Sequence, residues 1–344
     1  MKIVVDAYGG DNAPGAIVRG AVEAVKAVDK FTLVLSGKAS EINGLLDECC
    51  PEALRSRIEI LDCDDVITND DVPTVAIRRK TNSSLVVALN KLKEDSEAKA
   101  LISAGSTGAF LTGATLKIGR IKGISRPALS PVLPTVKGGW VMLLDCGANA
   151  DCKPVNLVHF AVMGSNYMKA MYGIENPRVA LLSNGTEDHK GKQLTLDTFP
   201  MLKDISVINF VGNMEARDVL SGEYDVVVAD GFSGNVCLKS IEGAAGMVVR
   251  LLKKGIMSSK KAKFGALFMK GVFKDLKQTM DYNSNGGAVF LGVNGVTIKA
   301  HGSANETTIK NAVLQAIDAV ESEYVERIKT SLEDVDFDNL IKAE

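Results

Sequence analysis

Several residue types that mark common catalytic and metal sites are scarce in this chain. Only three of its 344 residues are histidine, and none of its six cysteines forms a Cys-x-x-Cys pair. Neither a histidine-rich metal site nor a histidine-based catalytic triad is therefore indicated. Scattered cysteines in a large chain without a secretion signal are expected to be reduced and structural.

Long hydrophobic runs and a strong charge imbalance are also lacking. No apolar run approaches the roughly 18 residues of a membrane-spanning helix, and residues 1–6 enter a strand pattern directly, so we expect no signal peptide and a cytoplasmic protein. The net charge of −2 argues against nucleic acid as a partner. A hydrophobic content of 46% with 24% charged residues is ordinary for a globular protein with a large core.

Four signature motifs are missing as well. The chain contains neither the dinucleotide fingerprint G-x-G-x-x-G nor the phosphate-loop motif G-x-x-x-x-G-K-[ST]. It also lacks the hydrolase elbow G-x-S-x-G and the zinc motif H-E-x-x-H. The sequence therefore gives no direct sign of a nucleotide site, a serine hydrolase or a zinc protease.

The stretch Leu101–Gly113 shows what the chain has instead, which is a strand followed by a glycine turn and a helix. Glycines let backbone N–H groups approach an anion, and a helix N-terminus adds partial positive charge. Ser106 and Thr107 can either cap the helix or donate hydroxyls to a phosphate. The pattern predicts an anion-binding loop at Gly105, Ser106, Thr107 and Gly108, with simple capping of a buried helix as the alternative.

The same strand, polar loop and helix recur along the whole chain. Continuous β-branched runs that alternate with helices predict one large α/β domain over residues 1–344, with a mostly parallel sheet covered on both faces. Ligands bind such sheets beyond the carboxyl ends of the strands. The predicted strands are 2–5, 32–35, 58–61, 100–102, 140–144, 179–182, 207–211, 225–229 and 296–300.

Polar side chains collect after these predicted strands, and they suit a phosphate and a developing oxyanion. Aspartates at strand ends could instead hold Mg²⁺, but they more often cap the next helix, so we predict no metal. Cys146 and Cys152 flank one loop, but only His159 is near, which disfavours a cysteine nucleophile. The neutral donors are Asn149, Asn184, Asn213 and Asn235, the hydroxyls are Ser106, Thr107 and Ser233, the charged groups are Glu187, Asp188, Lys190 and Asp230, and the possible magnesium ligands are Asp6, Asp11, Asp145 and Asp230.

Several motifs are spread over nearly the whole chain. They include Asp6-Ala-Tyr-Gly-Gly-Asp11, Arg78-Arg-Lys-Thr-Asn-Ser-Ser84, Ser103-Ala-Gly-Ser-Thr-Gly-Ala109, Leu144-Asp-Cys-Gly-Ala-Asn149, Gly185-Thr-Glu-Asp-His-Lys-Gly191, Asp230-Gly-Phe-Ser-Gly-Asn-Val236 and Lys299-Ala-His-Gly302. In the number, order and spacing of these motifs the chain resembles the bacterial phosphate acyltransferases of phospholipid synthesis, the acyl-carrier-protein:phosphate acyltransferases. Tyr8 and Asn12 depart from the residues usual in that family, and both lie in a loop.

The resemblance implies transfer of a long-chain acyl group from acyl carrier protein to inorganic phosphate, without a cofactor. It also implies a three-layer α/β/α fold like that of isocitrate and isopropylmalate dehydrogenases, a homodimer and peripheral membrane association. A membrane glycerol-3-phosphate acyltransferase is a further candidate partner.

The residues at the strand ends can be given roles in that reaction. Phosphate is already an anionic nucleophile at pH 7, so neither a strong base nor a covalent intermediate is needed. We expect the loop Gly105–Gly108 and Lys190 to hold phosphate, and Glu187, Asp188, Asp230 and Ser233 to line the substrate site. Asn149, Asn184 and Asn235 are candidates for positioning the substrate and the oxyanion, and His301 for a hydrogen bond to the reacting groups.

One basic segment breaks the regular alternation. Residues 250–277 hold nine basic residues and one acid. Helical spacing places the lysines on one side and apolar residues on the other, which predicts an amphipathic helix at about 250–281 that binds a membrane surface or acyl carrier protein. A solvated face on an ordinary core helix is the alternative. The lysines are Lys263, Lys270, Lys274 and Lys277, and the apolar residues are Phe264, Leu267, Phe268 and Val272.

Two other classes of function stay open from the residues alone. A short-chain phosphotransacetylase or a hydroxyacid dehydrogenase could use the same architecture, and a dehydrogenase of this architecture can bind NAD without the dinucleotide fingerprint. A non-catalytic scaffold that keeps the basic helix is the third alternative.

Overall fold

The computed structural model describes residues 1–269, 271–272 and 286–337, which form two β-sheets covered by helices. The seven-stranded sheet has the order β3-β2-β1-β4-β12-β11-β5 and the five-stranded sheet the order β6-β7-β10-β8-β9. The strands are β1 (Lys2–Asp6), β2 (Thr32–Gly37), β3 (Ile58–Asp62), β4 (Ala98–Ser103), β5 (Ala128–Ser130), β6 (Val132–Pro134), β7 (Trp140–Leu144), β8 (Arg178–Ser183), β9 (Asn209–Glu215), β10 (Val226–Val228), β11 (Ala288–Leu291) and β12 (Val296–Lys299).

Parallel pairing dominates both sheets, since the antiparallel pairs among the described strands are β11 with β12, β11 with β5 and β6 with β7. The α/β prediction is therefore confirmed. The strands are divided between two sheets, because the chain passes from the first sheet to the second between β5 and β6. The residue at that junction is Pro131, whose nitrogen carries no hydrogen and cannot extend a strand ladder.

Helices cover the sheets and bury their apolar stripes against them. In the first helix, Ile17, Ala21, Val22 and Val25 are buried at the helical spacing of one face. The helices are α1 (Gly15–Ala27), α2 (Ala39–Cys49), α3 (Pro73–Arg79), α4 (Ser84–Glu94), α5 (Thr107–Gly113), α6 (Pro154–Tyr172), α7 (Gln193–Lys203), α8 (Gly231–Met257), α9 (Lys260–Phe268), α10 (Glu306–Glu321) and α11 (Tyr324–Glu333), with short 3-10 or π turns at Glu52–Arg57, Ala114–Ile118 and Ala216–Asp218.

One large cluster of buried apolar side chains joins the two sheets. Ile3 and Ile102 of the first sheet and Met142 and Val226 of the second belong to one cluster of buried side chains. Helix α6 runs through this cluster, and most of its 19 residues are buried. The two sheets therefore share buried apolar contacts, and one large domain over residues 1–344 stays a prediction.

The predicted basic segment forms two helices in its described part. Helix α8 begins much earlier, at Gly231, and α9 follows after Ser258 and Ser259. The Ser259 side chain accepts a hydrogen bond from the N–H of Ala262 at 3.0 Å and caps α9. Lys270, Lys274 and Lys277 lie outside the described residues. Across the described chain, no helix combines the length and the apolar character needed to cross a membrane.

Candidate active site

The ends of three neighbouring strands, β1, β4 and β12, bring together the first group of polar side chains. Ser103 donates a hydrogen bond to the buried Asp6 carboxylate at 2.7 Å, and the Gly105 N–H donates to Ser103 Oγ at 3.1 Å. Burial raises the pKa of Asp6, and the hydrogen bond from Ser103 opposes that rise. These contacts fix the start of the predicted anion-binding loop.

The loop itself is held close to the chain that follows β1. A Cβ atom on Gly9 would lie 2.6 Å from the Gly105 nitrogen, so only glycine allows this approach. Ser106 caps α5, since its Oγ accepts a hydrogen bond from Ala109 N at 3.5 Å. Thr107 is the first residue of that helix and lines the cavity described below. The capping alternative is thus seen at Ser106.

Lys299 is a buried cation at this point that the sequence reasoning missed. It ends β12, is 8% exposed, and its ammonium donates to the carbonyl oxygens of Ala104, at 3.2 Å, and Ala300. Burial lowers the pKa of Lys299 to about 8, although Asp6 and Asp11 oppose this shift. A lysine that closes a run of apolar strand residues was the available signal.

The second group lies at the end of β7 and centres on Asp145. This buried carboxylate accepts hydrogen bonds from the backbone N–H groups of Leu129 (2.9 Å), Ala148 (3.1 Å) and Asn149 (2.6 Å), and from the Asn149 side chain (2.9 Å). The Asn149 amide also donates to the carbonyl oxygen of Pro127 at 2.7 Å. Both amide hydrogens of Asn149 are therefore engaged inside the protein. Burial raises the pKa of Asp145, and these hydrogen bonds oppose the rise.

Asp230, at the end of β10, joins Ser233 and Lys192. Its carboxylate caps α8 by accepting from Ser233 N at 3.0 Å, and it also accepts from Ser233 Oγ at 2.8 Å and from the Lys192 ammonium at 2.5 Å. Burial raises the pKa of Asp230, but the hydrogen bonds from Lys192 and Ser233 outweigh it, and the pKa is lowered. Asp230 and Ser233 therefore lie together with Lys192, a residue that the sequence did not single out, whereas Lys190 was expected at the loop Gly105–Gly108.

A large cavity of about 940 Å³ joins the two groups. Thr107 and His301 from the first sheet and Gly147 and Asn235 from the second lie along it, together with Lys299. Its other walls are mostly apolar. They include Leu129, Val132, Leu133, Val136, Tyr172, Leu220, Leu238, Ile241, Ala245 and Val249.

His301 has one ring nitrogen fixed by its own loop. Nδ1 accepts a hydrogen bond from the Ser303 backbone N–H at 3.2 Å and lies 2.8 Å from Ser303 Oγ. Because a backbone N–H can only donate, the proton of the neutral ring lies on Nε2. In this tautomer the N–H donor of the imidazole is at Nε2.

The loop after β8 carries the remaining predicted site residues. Asn184, Glu187, Asp188 and Lys190 are all exposed, and none of them is among the described residues that line the cavity. Asn213 lies in β9, not after a strand, and its side chain donates to the Glu187 carbonyl oxygen at 2.9 Å. Its contact holds this loop against β9.

Cys146 and Cys152 lie on either side of the loop after β7. Burial raises the pKa of Cys146 well above its usual value and that of Cys152 to about 11. Both thiols are therefore neutral at pH 7, which makes them poor nucleophiles. Among the described residues, no three His, Cys, Asp or Glu side chains come together as metal ligands would.

A family model for fatty acid synthesis proteins matches residues 1–327. A phosphate acyltransferase from Clostridium novyi is 49% identical over 333 residues, which cover 97% of this chain and 99% of that protein. A second, from Clostridium acetobutylicum, is 47% identical over 335 residues and covers 97% and 100%. The chain belongs to the phosphate acyltransferase family. The predicted resemblance and the acyltransferase class of the enzyme are thus confirmed.

Solved structures extend the comparison to the fold. A Streptococcus pyogenes phosphotransacetylase has a TM-score of 0.59 at 17% identity, over 93% of this chain and 94% of that one. The EutD phosphotransacetylase from Staphylococcus aureus has a TM-score of 0.58 at 16% identity, with the same coverage. At such low identities the likeness bears on the fold alone, and it agrees with the family's α/β architecture.

Proposed function

We propose that the chain transfers a long-chain fatty acyl group from acyl carrier protein to inorganic phosphate and releases acyl phosphate for phospholipid synthesis. The observation that carries this proposal is the cavity. Its walls are apolar along β5, β6 and α8, while its polar end lies where the loops of both sheets meet. Apolar walls suit an acyl chain, and burial of each CH₂ group contributes about 0.8 kcal/mol.

The reaction needs positioning more than acid–base chemistry. A phosphate oxygen attacks the thioester carbonyl carbon and forms a tetrahedral oxyanion; the C–S bond then breaks and the carrier's thiolate leaves with the bonding electron pair. The protein lowers the barrier by holding phosphate near the carbonyl and donating hydrogen bonds to the oxyanion. No cofactor or metal is required for these steps.

The geometry supports some of the proposed roles more directly than others. Thr107 lines the cavity, so the loop Gly105–Gly108 to which it belongs is a candidate for holding phosphate. Asn235 packs over Gly147 at the cavity, and His301 also lines it, so both are candidates for the oxyanion and the leaving group. Asp230 and Ser233 shape the adjoining loop.

The other predicted site residues keep supporting roles in this proposal. Asn149 supports the loop through Asp145. Asn184, Glu187, Asp188 and Lys190 belong to the exposed loop after β8, where they can meet the carrier-bound end of the donor.

The proposal extends to partners and location. We infer a cytoplasmic enzyme that associates peripherally with the membrane, because the apolar side chains of α9 are exposed beside its lysines. Homodimer formation is supported by the exposed apolar residues Phe232, Val236 and Leu251 on α8. A membrane glycerol-3-phosphate acyltransferase is proposed as the consumer of the product, since acyl phosphate is an activated acyl donor.

Partial filling of the cavity tests the proposed acyl site. Ala245→Phe places a ring in the cavity from α8, so the KM for a long-chain acyl donor should rise while turnover of a short-chain donor is retained. Gly243→Phe is the matched control, because a Cβ atom there meets nothing within 4 Å and Gly243 does not line the described cavity. Steady-state assays with donors of two chain lengths make the comparison. An unchanged long-chain KM in Ala245→Phe would place the acyl chain elsewhere.

A further inference from the structure

We propose that Lys299 is the cation that holds the phosphate substrate. This inference rests on the proposed function, and it names a residue whose role sequence reasoning did not assign. Lys299 is the last residue of β12, an inner strand of the seven-stranded sheet, and it lines the cavity together with Thr107 and His301.

A buried ammonium that forms no ion pair with a carboxylate is stabilised when it binds an anion. Removing a charged group from water costs several kcal/mol unless a partner compensates. Within the described part of the chain, Lys299 forms no ion pair, and its hydrogen bonds go to two neutral carbonyl oxygens, those of Ala104 and Ala300. An ammonium has three donors, so one N–H remains for a ligand in the cavity.

The position of these carbonyl groups identifies which anion fits. Ala104 directly precedes Gly105, so the Lys299 ammonium is hydrogen-bonded to the backbone just before the predicted anion-binding loop. A phosphate held at Thr107 would therefore lie near the positive charge of the Lys299 ammonium. The oxyanion of the thioester carbon forms only after phosphate has bound, which leaves phosphate as the first anion to meet Lys299.

The other lysine along the described cavity is already paired. Lys239 donates to Glu242 at 2.7 Å, and both side chains lie on α8. Lys190, the cation expected from the sequence, is exposed on the loop after β8. Lys299 is therefore the better-placed partner for a phosphate that binds between the two sheets.

Replacement of the charge tests the proposal. Lys299→Met keeps the length and apolar stem of the side chain, so the protein should fold, and the loss of a charge-assisted contact should raise the phosphate KM about tenfold or more. The KM for acyl carrier protein should change little. Lys2→Met is the matched control, because Lys2 is also partly buried and lies at the amino end of β1, away from the cavity.

The pH dependence of the phosphate KM distinguishes a phosphate-binding role of Lys299 from a purely structural one. The charged groups that act on Lys299 are Asp6 of β1 and Asp11 of the loop after it, and His301 follows two residues later. Since the pKa of Lys299 is about 8, phosphate KM should rise with pH above that value. In Lys299→Arg the rise should move to higher pH, because a guanidinium keeps its proton.

Calorimetric titration of the same proteins with inorganic phosphate separates this inference from the proposed function. If the wild-type chain forms no acyl phosphate, the proposed function fails, while weaker phosphate binding by Lys299→Met would still support Lys299. A folded Lys299→Met protein with unchanged phosphate affinity would overturn the inference. A larger loss of phosphate affinity in Lys190→Ala than in Lys299→Met would overturn it as well.

Discussion

At the scale of single residues, the contact between Gly234 and Asp145 shows how tightly the second group is built. Gly234 lies in the first turn of α8, and a Cβ atom there would come within 2.0 Å of the Asp145 carbonyl oxygen. Gly231 makes a similar approach to Asn149, whose carbonyl oxygen accepts from Gly231 N at 2.8 Å. The start of α8 can lie this close to the loop after β7 only because both positions are glycine.

A substitution on α8 measures that constraint. Gly234→Ala should lower the free energy of unfolding by about 1–3 kcal/mol, because overpacking forces the backbone apart. Gly243→Ala, in the same helix with open space around it, should instead raise it by up to about 1 kcal/mol through helix propensity. Urea unfolding of both variants makes the comparison. Equal effects would show that the close approach does not constrain the site.

The cysteines supply a second prediction at this scale. Direct attack by phosphate needs no acyl-enzyme, and the raised pKa values of Cys146 and Cys152 keep both thiols protonated. Cys146→Ala and Cys152→Ala should therefore retain substantial turnover, as should the control Cys49→Ala on α2. Mass spectrometry of the enzyme during turnover checks for a covalent adduct. An acyl group trapped on either cysteine would contradict the direct mechanism.

Some site residues could be recognised from the sequence because their immediate sequence neighbours mark them as polar loop residues. Thr107, Asn235 and His301 follow strands at positions where polar loop residues stand out, and all three line the cavity. Lys299 and Lys192 were missed, because the sequence shows neither the cavity beside Lys299 nor the distant partner of Lys192. Asn149 looked like a substrate donor, but Asp145 and Pro127 take both of its amide hydrogens.

At the scale of elements, α9 leaves a whole apolar side exposed. Phe264 is 65%, Leu267 67% and Phe268 79% exposed, and the two phenylalanine rings contact each other with centroids 5.3 Å apart. Lys263 is exposed on the same helix. Large apolar side chains in this arrangement are typical of surfaces that meet another partner.

Replacing apolar residues on the exposed side of α9 by glutamate tests membrane association. Leu267→Glu with Phe268→Glu should abolish vesicle binding, because apolar burial at about 25 cal/mol per Å² and roughly 1 kcal/mol per interfacial lysine act together there. Sedimentation with anionic vesicles measures the effect. Catalysis with soluble acyl carrier protein should survive, because the cavity is untouched, and Leu116→Glu, at an exposed leucine elsewhere, should bind vesicles normally.

The same segment could instead dock the carrier protein, and the two possibilities give different results. Full vesicle binding by the Leu267→Glu, Phe268→Glu protein would rule out the membrane role. A salt-dependent loss of turnover after replacement of the α9 lysines Lys260, Lys261 and Lys263, without any membrane present, would show that they bind the carrier.

The elements could be predicted where the sequence repeats a long apolar pattern. The strand predicted at 140–144 matches β7, whereas β5, β6 and β11 are only three or four residues long and were missed. The strand predicted at 207–211 lies at Asn209–Glu215, since Gly212 interrupts the apolar pattern without ending the pairing. Short strands are specified by their neighbours more than by their own residues.

At the scale of the whole molecule, the sequence indicated an α/β fold but not two sheets. Alternating strands and helices carry no information on which loops will converge, and the switch at Pro131 depends on three-residue strands on either side. The cavity exists because of this switch, since β5 and β6 line it together with loops from both sheets. The family resemblance supplied the reaction, and the architecture supplies the place for a long acyl chain.

The most direct test of the account is acyl phosphate formation by the purified chain. A long-chain acyl carrier protein and inorganic phosphate are mixed with the enzyme, and acyl phosphate is trapped with hydroxylamine as the hydroxamate. We expect product only when carrier-bound acyl group and phosphate are both present, with little from an acetyl donor and no reduction of a nicotinamide nucleotide. Equal or faster reaction with the acetyl donor, or no acyl phosphate from the long-chain carrier, would contradict the account.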